Sequence, residues 1–115
     1  MTQMIEIQDL LTIRTVTATG NSPAEPIDIS RYTSMYAEVI GVKVSGTSPT
    51  LTPFISQLTS SGSQNALVTM AIQNASFKLV VNVPLTLGKL FAEWVIGGTD
   101  TPTWTFRVIL TGRIN

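Results

Sequence analysis

Between residues 103 and 111 apolar and polar side chains alternate. Trp104, Phe106, Val108 and Leu110 share one face. Thr103, Thr105, Arg107 and Thr111 share the other, with Ile109 the one apolar exception. A period of two is that of a half-buried antiparallel strand. Burying the four apolar side chains contributes roughly 6–12 kcal/mol gross, at about 1.5–3 each, and ordering the backbone offsets most of it. Upstream, Leu90, Ala92, Trp94 and Ile96 alternate with Phe91, Glu93 and Val95. Between the two runs, Gly97 and Gly98 can take positive φ, while Pro102 fixes its own φ and biases Thr101 toward extended geometry. This pattern predicts a hairpin over residues 94–110, its stripe in the core and its loop at a tip.

The same reading extends along the chain. Residues 10–18 are β-branched and alternate, Leu11, Ile13, Thr15 and Thr17 against Thr12, Arg14, Val16 and Ala18. Residues 20–26 (G-N-S-P-A-E-P) have turn composition. The run at 32–44 sets Met35, Ala37, Val39 and Gly41 on one face. Tyr36, Glu38, Ile40, Val42 and Val44 lie on the other, with a single charge. Gly41 predicts a bulge or a close approach, and Pro53 in the run at 51–58 predicts an edge strand or a bulge. Residues 59–65 read as a polar loop, and 66–72 as a strand whose Ala-Leu-Met content would also tolerate a helical turn. In 75–83, Phe77, Leu79, Val81 and Val83 align on one face. No segment has a sustained 3.6-residue period. About seven or eight strands with turn signals roughly every 8–14 residues predict an all-β fold, an antiparallel β-sandwich or barrel, with the jelly roll as one form of the sandwich. Residues 1–9 read as a first strand or an arm, and 10–115 as one sandwich domain.

Two stretches echo one another. Residues 44–54 read V-S-G-T-S-P-T-L-T-P-F and residues 96–106 read I-G-G-T-D-T-P-T-W-T-F. Two copies make no solenoid. They predict two hairpins with the same turn chemistry at one end of the molecule, through convergence on good turn residues or through a duplicated half-domain.

Composition narrows the chemistry. With no Cys there is no disulfide framework, and with no His the commonest general base and transition-metal ligand is missing. Seven basic and seven acidic residues are scattered singly, which leaves no electrostatic footprint for nucleic acid and no polybasic membrane patch. Only 12% of the chain is charged, against 43% hydrophobic. So few charges suit a subunit packed against another surface, or equally a Thr-rich β surface. The N-terminus lacks the basic region and apolar run of a signal peptide, and no stretch approaches the roughly 18 apolar residues of a membrane helix. The sequon Asn74-Ala75-Ser76 is read as chance.

Candidate sites are correspondingly few. The carboxylate pairs Glu6/Asp9 and Glu25/Asp28 sit in terminal or turn segments with no aromatic sugar platform nearby, unlike a glycosidase cleft. Asp100 is a turn former, and one Asp among threonines is too little for calcium. Lys43, Lys78 and Lys89 make no Ser-x-x-Lys spacing, and Gly97-Gly98-Thr99 lacks the helix and lysine of a phosphate cradle. Tyr32, Tyr36, Trp94 and Trp104 form either a stacking platform or, the favoured reading, core. No catalytic residue, cofactor or metal site is expected. The loop residues Thr47, Ser48, Pro49, Thr99, Asp100 and Thr101 are the expected partner-binding positions.

Certain parts recur in a fixed order: the strand at 36–44 running into S-G-T-S-P-T-L-T, then G-K-L-F at 88–91, W-V-I-G-G-T at 94–99, P-T-W-T-F at 102–106 and L-T-G-R at 110–113. In this order the chain resembles a family of small β-sandwich virion proteins of tailed bacteriophages, of the head decoration and minor capsid type. The resemblance implies a non-enzymatic structural protein of the virion, made in the host cytoplasm. It would act as a capsid decoration or cement subunit on the outer capsid surface. Its partners would be the major capsid protein or other virion proteins, and it would form a homo-oligomer without nucleic acid or membrane. The alternatives are a tail, neck or fibre-attachment component, or a carbohydrate-binding β-sandwich module.

Overall fold

Two strands, each far longer than any other, carry the architecture. A computed structural model describes residues 4–21, 27–58, 64–85 and 88–114. Among these the regular elements are all strands: β1 (Met4–Val16), β2 (Gly20–Asn21), β3 (Ile27–Asp28), β4 (Ser34–Leu58), β5 (Gln64–Thr69), β6 (Phe77–Asn82) and β7 (Lys89–Ile114). β4 and β7 pair antiparallel from Ser34↔Arg113 to Leu58↔Lys89.

This pairing corrects the expected hairpin. The two arms of 94–110 do not pair with each other; they are successive parts of β7, and both pair with β4. Gly, Asp and Pro at 97–102 are used for bulges and not for a reversal of direction. Between Ser45↔Thr103 and Thr47↔Thr99, three residues of β7 stand opposite one of β4. Between Thr47↔Thr99 and Thr50↔Gly97, two residues of β4 stand opposite one of β7. Extra residues of this kind bend a strand and tighten its twist. The bend is sharp. Residues twelve apart in a straight strand are about 40 Å apart, yet the rings of Trp94 and Phe106 meet edge to face with centroids 5.3 Å apart.

The sheet therefore folds over itself at this corner into two halves. In the first, β1, the 104–114 part of β7, the 34–44 part of β4 and β6 lie side by side. In the second, β2 and β3 flank the 89–97 part of β7, which pairs with the 50–58 part of β4, which pairs with β5. The fold is an all-β antiparallel sandwich with its core between the halves. The stripe Trp104, Phe106, Val108 and Leu110 is fully buried, as are Ala37 and Val39 beside it; Leu51, Ile55, Leu90, Ala92 and Trp94 close the core from the second half.

Several expectations need correction. Pro53 is buried in an inner position, opposite Trp94 of β7. On the other side of β4, Leu51 exchanges hydrogen bonds with Gln73. By the alternation of strand donors, the N–H that Pro53 lacks would point to that same side. There β5 has ended and residues 70–72 are irregular, and the Pro53 carbonyl still accepts from Met70 N at 3.1 Å. In β1, register shifts on both sides of Leu11 interrupt the predicted alternation, leaving Leu10 and Leu11 both buried and Ile13 exposed. Tyr32 is core but Tyr36 is exposed. Gly41 marks a close approach, with the Phe77 ring lying over it. Residues 1–3, most of the turn at 20–26 with Glu25, and 59–63 of the polar loop lie outside the described residues.

Candidate functional site

The corner brings the two echoing segments side by side. Gly46, Ser48, Gly98, Asp100 and Thr101 all have positive φ, a conformation that costs non-glycine residues roughly 1–3 kcal/mol each. The surroundings hold them there. Thr47 Oγ1 donates to the Asp100 carboxylate across the strand pair. Thr101 O accepts from Thr103 Oγ1 at 3.1 Å and from Ser45 Oγ at 3.4 Å. Each glycine packs on the opposite strand's proline: a Cβ on Gly46 would meet Pro102 Cα at 2.7 Å, and one on Gly98 would meet Pro49 Cα at 2.9 Å.

Two further segments brace the corner. Thr19 Oγ1 accepts from Ile96 N at 3.0 Å. On the other side Lys43 N donates to Ser76 Oγ at 3.1 Å and Lys43 Nζ to Asn74 O at 3.3 Å. The six loop residues expected to bind a partner thus lie together at one end of the sandwich. Thr47, Ser48, Thr99, Asp100 and Thr101 are exposed, and Pro49 is buried beneath Gly98. The surface is rich in hydroxyls, and its one carboxylate already accepts a hydrogen bond. Among the described residues no base is hydrogen-bonded to a hydroxyl here in a way that would activate a nucleophile, and no cluster of three acidic, His or Cys side chains could hold a metal. Such a surface can present a fixed shape and hydrogen-bonding groups to a partner.

The outer face of the first half-sheet is a second candidate. Ile5 and Ile7 of β1, Tyr36, Val42 and Val44 of β4, and Val80 of β6 are all exposed. Two ion pairs lie among them, Arg107 with Asp9 at 2.9 Å and Lys78 with Glu38 at 3.5 Å, while Arg113 at the end of the face has no ion-pair partner among the described residues. A groove of about 400 Å³ runs between Ile5, Ile7, Tyr36, Asn82, Thr111 and Arg113. Sequence reasoning assigned Tyr36 to the core and missed this face. The signal was an antiparallel strand apolar on both sides, which needs cover on both.

At the end of this half-sheet remote from the corner, the Glu6 carboxylate accepts from Tyr32 Oη at 2.7 Å, and from Arg31 and Gln8. Tyr32 is buried over Gly112, where a Cβ would lie 2.6 Å from its ring. Hydrogen bonding from Tyr32, followed by the Arg31 guanidinium, holds Glu6 below the usual carboxylate range. Burial, reinforced by Glu6, pushes the Tyr32 phenol up. The Glu6/Asp9 pair weighed from sequence is not a pair: Asp9 binds Arg107 on the outer face. Asp28 accepts from Ser30 N at 2.9 Å. Both tryptophans are buried, so neither belongs to a surface stacking platform. Trp94 Nε1 donates to Ala18 O at 2.8 Å, whereas Trp104 Nε1 finds no acceptor among the described residues.

The fold has counterparts of known structure in proteins of virus particles and of bacterial endospore appendages. The chain is similar to VP2 of infectious bursal disease virus in its subviral particle, with TM-score 0.63 and 14% identity over 98% of this chain and 33% of that chain. It is similar to the subunit of T=1 particles derived from that virus, with TM-score 0.67, 14% identity, and coverage of 98% and 32%. It is also similar to the subunit of Bacillus endospore appendages, described as a novel family of disulfide-linked pili, with TM-score 0.57, 14% identity, and coverage of 99% and 92%. The chain spans about a third of the length of the viral proteins it matches. At these identities the likeness is one of fold. No protein-family model and no curated protein sequence matches the chain.

Proposed function

We propose that this chain is a non-enzymatic structural subunit of a bacteriophage virion, a decoration or cement subunit on the outer surface of the capsid. The observation that carries this reading is the apolar outer face of the first half-sheet, on which four of the charged side chains are tied up in two ion pairs. A surface of that kind needs little desolvation of charge when a neighbour covers it. The lack of His and Cys and the fold likeness to particle-forming proteins support the same reading. We take the strand order, β1-β7-β4-β6 against β3-β7-β4-β5, as a jelly roll. Homo-oligomers are expected because capsid sites are symmetric. The exposed corner residues Thr47, Ser48, Thr99, Asp100 and Thr101 are the proposed second contact, where a rigid tip lowers the ordering cost of binding.

Co-sedimentation with undecorated capsids tests the proposal. The chain is expected to sediment with them. Tyr36→Lys with Val80→Lys should abolish binding while leaving the circular dichroism unchanged. Failure of the wild-type chain to sediment at micromolar concentration, with binding to tails instead, would overturn it. One observation favours a second reading, a filament or tail component: the likeness to the endospore appendage subunit spans nearly all of that chain. With no Cys, such a filament would be held by non-covalent contacts.

A further inference from the structure

We propose that the free edge of β1 is a self-association surface, which pairs antiparallel with β1 of a second copy about a twofold axis at Ile7. β1 is bonded to β7 along one side, and no described strand pairs with the other. Edge strands that remain unpaired are usually short, bulged, or marked with Lys or Pro. The other edges fit that description. β6 has six residues and carries the exposed Lys78; β5 has six with a register shift; β2 and β3 have two each. β1 does not. From Met4↔Ile114 to Asp9↔Ile109 its register is unbroken, and this stretch contains no Pro, Lys or Arg. Its outward side chains Ile5 and Ile7 are 66% and 69% exposed.

The side chains also select the occupant and the register. A twofold axis perpendicular to the sheet keeps the two outer faces continuous, so the axis must pass through a residue and not between residues. Centred on Ile7, the pairing sets Ile7 opposite Ile7, Glu6 opposite Gln8 and Ile5 opposite Asp9, and no like charges face each other. Centred on Glu6, it would oppose two carboxylates. Centred on Gln8, it would run into the register shift that follows Asp9. The favoured register joins two four-stranded halves into one eight-stranded sheet and brings the isoleucines of both copies together next to both grooves. The Glu6 carboxylate keeps its bond to Tyr32, which is buried on the core side of β1.

The absence of native Cys makes cross-linking a clean test. Directly opposed residues of an antiparallel pair have Cα atoms about 4.5–5.5 Å apart, within the span a disulfide bridges. Ile7→Cys should convert to a covalent dimer on mild oxidation, with loss of the monomer band on a non-reducing gel. Val80→Cys, exposed on the same face but on the β6 edge, should remain monomeric. The unmodified chain should show twice the monomer mass in solution. Any of three results overturns the inference: an Ile7→Cys variant that stays monomeric, equal linking of both variants, or a link that forms only when the two are mixed, which would mean β1-to-β6 pairing. No capsid is needed, so this result stands or falls separately from co-sedimentation.

Discussion

Gly98 lies so close to Pro49 that a Cβ at position 98 would sit 2.9 Å from the Pro49 Cα. Gly46 stands in the same relation to Pro102, at 2.7 Å. Each long strand therefore contributes a glycine and a proline, and each glycine accepts the other strand's proline. This reciprocal packing explains the echo between 44–54 and 96–106. The two segments are alike because each supplies the same half of one corner.

Replacing either glycine should open the corner. The φ angles are 109° at Gly46 and 114° at Gly98, a region in which an L side chain is strained by about 1–3 kcal/mol, and the backbone contacts add to that. Gly46→Ala and Gly98→Ala are each expected to destabilise the chain by at least about 2 kcal/mol, read from urea midpoints at constant m. Thr99→Ala, at an exposed neighbour, should stay within about 0.5 kcal/mol. Alanine variants as stable as the parent would mean that the corner relaxes easily.

Gly41 offers a similar test inside the core. A Cβ there would fall 2.2 Å from the Phe77 ring, and Phe77 in turn packs against Trp104 at 6.0 Å between centroids. Gly41→Ala is expected to cost about 1–3 kcal/mol by overpacking. Phe77→Leu frees part of that space, so the double variant should lose less than the sum of the two single ones. A double-mutant cycle with a coupling energy near zero would place the alanine methyl elsewhere.

The inner stripes were legible because a strand covered on one side must alternate. Trp104 to Leu110 and Met35 to Gly41 fall where their period puts them. The corner was not legible. Gly, Asp and Pro serve a tight turn and a bulge equally well, and the choice depends on the partner strand. For residues 97–103 that partner lies about fifty positions earlier in the chain, and no local window includes it. The Glu6–Tyr32 contact was hidden for the same reason, since it joins β1 to a connection 26 residues away. Tyr36 shows a different limit. Alternation identifies the members of a face, but it does not say whether the core or a neighbouring molecule covers that face.

Trp104 separates packing from hydrogen bonding. Truncating this fully buried ring to Ala should cost at least about 3 kcal/mol. Its indole N–H finds no acceptor among the described residues, a deficit worth about 1–3 kcal/mol for a buried donor. Trp104→Phe removes that donor while keeping most of the ring. Calorimetry should place its melting temperature much closer to the parent than to Trp104→Ala. Equal losses for the two variants would show that the N–H has a partner.

The contact of Glu6 with Tyr32 and Arg31 predicts a stability plateau that falls away at both pH extremes. Glu6 is held below its ordinary value of 4.5, first by the Tyr32 hydroxyl. A carboxylate depressed in the fold contributes fully above that value, and the contribution is lost as pH falls through the folded value. Asp28, lowered from 3.8 mainly by the backbone N–H of Ser30, adds to the acid loss. Tyr32 is raised above 10.0 by burial and then by Glu6. The fold thus favours the protonated phenol, and its contribution is present below pH 10 and lost above it. Melting temperature should be level between about pH 5 and 9 and should decline on both sides. Glu6→Gln should lower the plateau and flatten the acid limb, leaving only the share from Asp28. Tyr32→Phe should flatten the alkaline limb. The acid limb should also become shallower in that variant, because Glu6 has then lost its principal donor. An acid limb unchanged in Glu6→Gln would assign it to other carboxylates and leave β1 held to residues 31–32 by packing alone.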